Sequence, residues 1–221
     1  MTELLDGTEF AGVQLPEDVV GFGFAEVAYL LGRHDSVQAD MLRAKLILDQ
    51  ENNSEATKAS GLSSLVARGW VAARNQQVQS RSAAALLEYV GARGGRWTTM
   101  GIANAQQPDL ALVVESAGLI AMLQPRAYGT WFAGFSSDES PAGALLTSTL
   151  RERVRGNPAT AMYFVSETLG QAPRSVFVRR DHEQNKWDAV LDADGPGTGV
   201  RKLVDDAGLD LLFAAFLPAR R

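Results

Sequence analysis

The chain has 221 residues, 46% hydrophobic and 21% charged, which is ordinary for a globular protein able to bury a core without staples. It contains no cysteine, which excludes disulfides, thiolate nucleophiles, zinc ribbons and iron–sulfur ligation. The net charge of −5 argues against a large nucleic-acid footprint. The opening MTELLDGTEF lacks the basic region and apolar core of a signal peptide, and the apolar runs fall short of the roughly 18–20 residues of a membrane span. A cytoplasmic protein without a membrane partner is expected.

Residues 1–15 read as extended, with Phe10, Val13 and Leu15 as a short strand. Pro16, Glu17 and Asp18 suit a helix start, and Val19, Val20, Phe24, Val27, Leu30 and Leu31 recur at helical spacing up to Gly32. This reading places Gly21 and Gly23 inside the helix, at a cost of about 1 kcal/mol each relative to alanine. A second helix follows Asp35 or Ser36 and runs to about Gln50, and Glu51 to Asn53 is a polar break. Ser54 caps a third helix whose buried face is expected at Ala59, Leu62, Leu65 and Val66, closed by Gly69. Trp70 and Val71 start a strand, Asn75 marks a turn, and Val78 returns as a second strand. A fourth helix covers Arg81 to Val90, ended by Gly91, Gly94 and Gly95.

The hydrophobic period then shifts from about 3.6 toward 2. Strands are predicted at 96–103, 110–115, 119–124 and 128–135, separated by Gln106 to Pro108, Ser116 to Gly118, and Pro125. Such short connections imply antiparallel pairing. Ser140 and Pro141 open a helix that ends at Gly156, and strands follow at 160–166, 175–180 and 186–191. DADGPGTG at 192–199 reads as a loop, and 200–217 as one or two helices interrupted near Gly208. Several strands and a helix thus occur twice in succession. The fold class is α+β: a mostly antiparallel sheet with an N-terminal helical, winged-helix-like region and C-terminal helices. The division falls between residues 1–92 and 93–221, with both parts expected in one compact unit.

Chemistry-bearing motifs are scarce. Gly21 to Glu26, GFGFAE, has the first two glycines of a dinucleotide loop, but lies inside the expected helix and has Glu26 where the third glycine belongs. Asp192, Asp194 and Gly195 begin like a calcium loop, yet Pro196 and Leu203 stand where ligands are needed. His34 and His182 have no ligand partner at i+2 or i+4. No nucleophile-elbow or SxxK pattern appears. The expectation is therefore a non-enzyme without cofactor or metal. Arg179 and Arg180 could grip a carboxylate or phosphate, or simply be solvated. Tyr128, Trp131, Phe132 and Phe135 could line a binding surface, but core packing is the preferred reading.

Charge is uneven: eleven acids face four bases before residue 60, whereas Arg68, Arg74, Arg81, Arg93 and Arg96 face only Glu88 between 61 and 100. Three helices leading through GLSSLVARGWV to a short hairpin have the order of a winged helix, whose third helix enters the major groove. That helix carries only Lys58 and Arg68 against Glu55, too little positive charge for strong phosphate contact, so nucleic acid is not the favoured partner. A winged-helix regulator with a C-terminal sensing domain is the alternative function.

The phrase from Leu65 to Val71, the helix Arg81 to Val90, the run LALVVESAGLIAMLQPRAYGTWF, the helix SPAGALLTSTLRERV and the leucine-rich C-terminus together resemble the EspG family of cytosolic chaperones for type VII (ESX) secretion. The resemblance follows the order of elements over most of the chain. It implies a non-catalytic protein that holds a helical secreted substrate soluble. The partner-binding residues implied by the family arrangement are Ser116, Ala117 and Gly118 in one turn, and Leu209, Leu212, Phe213 and Phe216 in the C-terminal region. A homodimer is an admissible assembly.

Overall fold

The computed structural model describes residues 17–46, 48, 54–74, 77–103, 110–137, 141–192 and 199–218. The expected strand at Phe10 to Leu15, the breaks at 51–53, Asn75 and 106–108, the capping Ser140 and most of the DADGPGTG loop lie outside them. Helices and a large antiparallel sheet make the fold α+β. The chain divides into two compact units, and their described residues fall within Met1–Gly95 and Val114–Asp138 for the first and within Arg96–Val113 and Glu139–Arg221 for the second. The sequence reading divides the chain at 92 and 93, whereas packing groups 114–138 with the N-terminal helices. Among the described residues no helix is long and apolar enough to cross a membrane.

In the first unit, β1 (Val20–Gly23) leads directly into α1 (Phe24–Gly32). The glycines expected inside a helix therefore lie in a strand. The physical reason is a cap: the Glu26 carboxylate turns back to accept the Gly23 N–H at 2.9 Å, so the helix starts at Phe24 and Gly23 stays extended. Next come α2 (Val37–Lys45) and α3 (Glu55–Ala67), capped by the Ser36 and Ser54 hydroxyls. Leu46 is the C-cap of α2, so that helix stops short of Gln50. The antiparallel pair β2 (Val71–Arg74) and β3 (Gln77–Ser80) follows.

α4 (Ser82–Arg93) is buried along Ala83 to Gly91 and packs on β6 (Leu119–Arg126), which pairs with β7 (Thr130–Ser137), which in turn pairs with β1. Gly91 does not end α4 but lies within it, because a Cβ there would stand 2.3 Å from a Leu31 methyl. Pro125 is likewise not a separator. It lies near the end of β6 opposite Trp131, where a missing N–H is tolerated, and the 3-10 turn Ala127–Gly129 makes the connection.

α3 is not the core helix its leucines imply. Only Gly61 and Leu65 are buried, Leu62 is half-buried, and Ala59 and Val66 are exposed. A Cβ on Gly61 would stand 1.9 Å from the Ala25 carbonyl oxygen. α3 thus crosses α1 at backbone contact, and the buried stripe narrows to one glycine and one leucine.

In the second unit, β4 (Arg96–Ile102), β8 (Ala161–Thr168), β9 (Arg174–Asp181), β10 (Lys186–Leu191) and β11 (Val200–Val204) pair antiparallel in that order. β5 (Leu110–Ser116) has Leu110–Val113 in this unit and Val114–Ser116 in the first. The repeat seen in the sequence becomes a helix and four strands, twice in chain order: α4 with β4 to β7, then α5 (Ala142–Gly156) with β8 to β11.

A strand therefore stands at 200–204, where helix was expected, and one C-terminal helix follows, α6 (Asp206–Phe216). Gly208 does not interrupt it. The Gly208 N–H donates to the Asp205 cap, and a Cβ would meet Val204 at 2.9 Å, so glycine lets the chain fold back from β11 into the helix. α6 packs on α5 and on β10 and β11. Phe213 meets Phe164 edge-on at 4.9 Å, and Phe216 lies 6.1 Å from Phe213. Arg174 donates to the Ala215 and Phe216 carbonyls, satisfying acceptors that a helix C-terminus leaves open.

Candidate functional site

Three of the four buried carboxylates among the described residues, Glu26, Glu88 and Asp188, each organise a polar cluster. Glu26, 3% exposed, accepts from the Gly23 N–H, from Ser64 Oγ at 2.6 Å and from Arg68 Nη1 at 2.8 Å. Arg68 also donates to the Gly21 carbonyl and lies 3.4 Å above the Trp70 ring, which packs on Phe22. GFGFAE and ARGW are therefore two halves of one structural joint, and the glycine spacing of a nucleotide loop has a different cause. Glu88 on α4 accepts from Arg33 and lies 2.8 Å from His34 Nε2, and Arg33 also donates to Ser80 Oγ and the Val78 carbonyl.

The third, Asp188 on β10, accepts from Arg201 Nε at 2.6 Å and Nη2 at 3.0 Å, and from Arg179 Nε at 3.0 Å. The hydrogen bonds from Arg201, joined by those from Arg179, hold its carboxyl below the usual carboxylate range against the opposing effect of burial. Asp188 is thus a fixed anion rather than a proton donor at neutral pH. Arg179 stands directly opposite it in the hairpin register. The sequence reading singled out Arg179 but not Asp188 or Arg201. Counting outward from the DHEQNK turn would have paired Arg179 with Asp188.

Burial holds the Tyr29 phenol above, and the Lys45 amine below, their ordinary ranges. Tyr29 lines an open groove of about 370 Å³ with Arg33, Lys58 and Leu62. Lys58 is paired with Glu55 at 2.8 Å and Arg33 with Glu88, so both cations lining this groove are held in ion pairs. Among the described residues no cluster of three or more histidines and acids could hold a metal ion.

The residues implied by the family arrangement are placed differently from one another. Ser116 is buried and its hydroxyl donates to the Leu119 carbonyl, Ala117 is exposed, and Gly118 turns the chain at φ +78°. The Ala117 carbonyl accepts from Tyr89 Oη at 2.8 Å, which ties this turn to α4. Leu209, Leu212, Phe213 and Phe216 are all buried in the second unit. Leu211 is the large apolar side chain of α6 that is exposed, at 73%.

Trp97 and Trp187 are core residues, as strand tryptophans should be. The cluster Tyr128, Trp131, Phe132 and Phe135 is not: Tyr128 is fully exposed, Phe132 is 42% exposed, and the other two are half-buried. The preferred core reading of these four is thereby corrected. The cause lies in β1, because Phe132 stands opposite Gly21 with its ring over that glycine, on a face that gives it no larger side chain to pack against. Tyr128 occupies the left-handed region at φ +62°, a strained position for a non-glycine residue, and carries its ring into solvent. Arg126 lies 5.6 Å from the Phe132 ring, and Val19 beside β1 is 62% exposed.

No protein-family model matches the chain, and no curated protein matches it.

Proposed function

We propose that this protein is a non-catalytic, cytoplasmic binding protein that acts as a chaperone for helical type VII secretion substrates. The observation that carries the reading is the set of exposed side chains at and beside β7: Tyr128, Phe132 with Arg126 near its ring, and Val19 beside β1. Exposed aromatics beside an arginine are the side chains that anchor protein interfaces, because they bury large area at low entropic cost. Holding a tyrosine in a strained turn only to place it in water gains the folded chain nothing. The buried positions on α6 support the fold and leave substrate contact to this surface and to the Ala117 turn at the opposite end of β6.

The test is co-expression with a helical type VII substrate, followed by size-exclusion chromatography and a titration of the isolated pair. The wild-type chain is expected to hold the substrate in solution as a complex. Tyr128→Ser with Phe132→Ser should weaken the pair by about tenfold to a hundredfold, the range for truncating interface aromatics, with the thermal midpoint preserved. Undiminished affinity in that variant would remove the surface from the proposal, and no complex with the wild-type chain would remove the chaperone reading.

A winged-helix regulator is the second reading, favoured by the order α1, α2, α3, then the β2–β3 pair. The exposed face of α3 runs through Ala56, Ala59, Ser60, Ser63 and Ala67, and its flanking cations are already paired, Lys58 with Glu55 and Arg68 with Glu26. Retention on duplex DNA is therefore expected to be negligible at 0.15 M salt. Tight binding with a steep salt dependence would reverse the order of the two readings.

A further inference from the structure

We propose that β11 in the second unit is a docking edge for an extended acidic segment of a partner protein, added beside it as a further strand. The proposal stands independently of the aromatic surface in the first unit. Among the described residues β11 pairs with β10 alone, so no described strand covers the other side of its backbone. Unpaired strand backbone is a template for strand addition, and the side chains on its two faces set which strand fits.

Those side chains are Val200, Arg201, Lys202 and Leu203, and all four are exposed. Val200 is 62% and Leu203 40% exposed, too apolar for a strand edge designed only to stay in water. Alternation puts Arg201 and Leu203 on one face and Val200 and Lys202 on the other. Each face therefore offers one cation beside one apolar group. Arg201 is oriented by Asp188 through Nε and Nη2, which leaves Nη1 for a second acceptor. Lys202 has no ion pair among the described residues.

Charge decides the occupant. A second copy pairing antiparallel through β11 at or beside the central register would set Lys202 against Lys202, Arg201 against Lys202, or each cation against Leu203 or Val204. Like charges are then opposed or the cations face no acid, and directly opposed like charges are destabilising. The compatible strand carries acids opposite Arg201 and Lys202 and apolar groups opposite Val200 and Leu203. That pattern is apolar–acid–acid–apolar, and it reads the same in either direction.

The experiment is a fluorescence-anisotropy titration of the full chain into a labelled Thr-Val-Glu-Glu-Val-Thr peptide. Saturable binding is expected. It should weaken at least tenfold when alternate peptide nitrogens are methylated, which blocks the ladder and keeps the charge. Lys202→Glu, at a position with no described ion pair to break, should produce a similar loss and regain binding to a counterpart with one glutamate exchanged for lysine, Val-Lys-Glu-Val or Val-Glu-Lys-Val according to strand direction. Arg201→Gln provides a second variant, with circular dichroism confirming the fold. Absence of saturable binding, equal binding of the methylated peptide, or tighter binding of a single-stranded oligonucleotide than of the peptide would each overturn the proposal.

Discussion

Gly61→Ala is expected to destabilise the first unit by about 3 kcal/mol, the upper end of the cost of forcing extra volume into a packed contact. Helix propensity predicts the opposite sign, since alanine is favoured over glycine in a helix interior by about 1 kcal/mol. Geometry decides. The added Cβ would meet the Ala25 carbonyl oxygen at 1.9 Å, the Ala25 carbonyl carbon at 2.4 Å and the Glu26 nitrogen at 2.9 Å. All three are backbone atoms near the start of α1, so no side-chain rotation relieves the contact. The helices would have to separate, which uncovers Leu65 and lengthens the bond from Ser64 to Glu26. Urea denaturation followed by far-ultraviolet circular dichroism measures the change. A midpoint equal to or above that of the wild-type chain would show that α1 and α3 do not touch at Gly61.

The same glycine shows where sequence reading succeeds and where it stops. The extent of α3 was legible because Ser54 carries the capping hydroxyl and Gly69, at φ +71°, supplies the left-handed stop. The strand series in 96–137 and 161–191 was legible because alternation and most turn residues agree, Pro125 inside β6 being the exception. The burial of α3 was not, because a glycine chosen for close approach looks like a weak helix residue until its neighbour is known. β1 failed for a related reason: Val19, Val20 and Phe24 match helical spacing by accident, and the Glu26 cap that ends the strand is a contact three residues away. Gly208 has the look of a breaker yet lies in the first turn of α6, where its N–H serves the Asp205 cap.

The candidate surfaces were the least legible part. Core and surface aromatics share one composition, and only the register placing Phe132 over Gly21 separates them. The α6 residues were placed on a partner surface by the family arrangement alone, although the helix is apolar almost all round. That pattern marks burial, and in this chain it marks the layer packed on Phe164 and α5.

Glu26→Gln is expected to cost about 3 kcal/mol in the first unit, and the size of the loss follows from what remains behind. The carboxylate is 3% exposed and takes three donors, one of them the Arg68 guanidinium. Removing one partner of a buried ion pair typically costs about 3–5 kcal/mol, because the survivor is left uncompensated. Arg68 is 34% exposed at its side chain, so water recovers part of that cost and the lower end applies. Loss of the anchor should also release the guanidinium from the Trp70 ring and change the tryptophan emission. The double variant Glu26→Gln with Arg68→Met separates the pair from the surrounding hydrogen bonds. If the uncompensated guanidinium dominates, the double variant will be more stable than Glu26→Gln alone, because methionine keeps contact with Trp70 and leaves no stranded charge. If the Gly23 cap and the Ser64 bond dominate, the two losses will simply add. A loss below 1 kcal/mol for Glu26→Gln would show that this carboxylate does not fasten β1 and α1 to α3, and the close crossing at Gly61 would then have to hold the helices by packing alone.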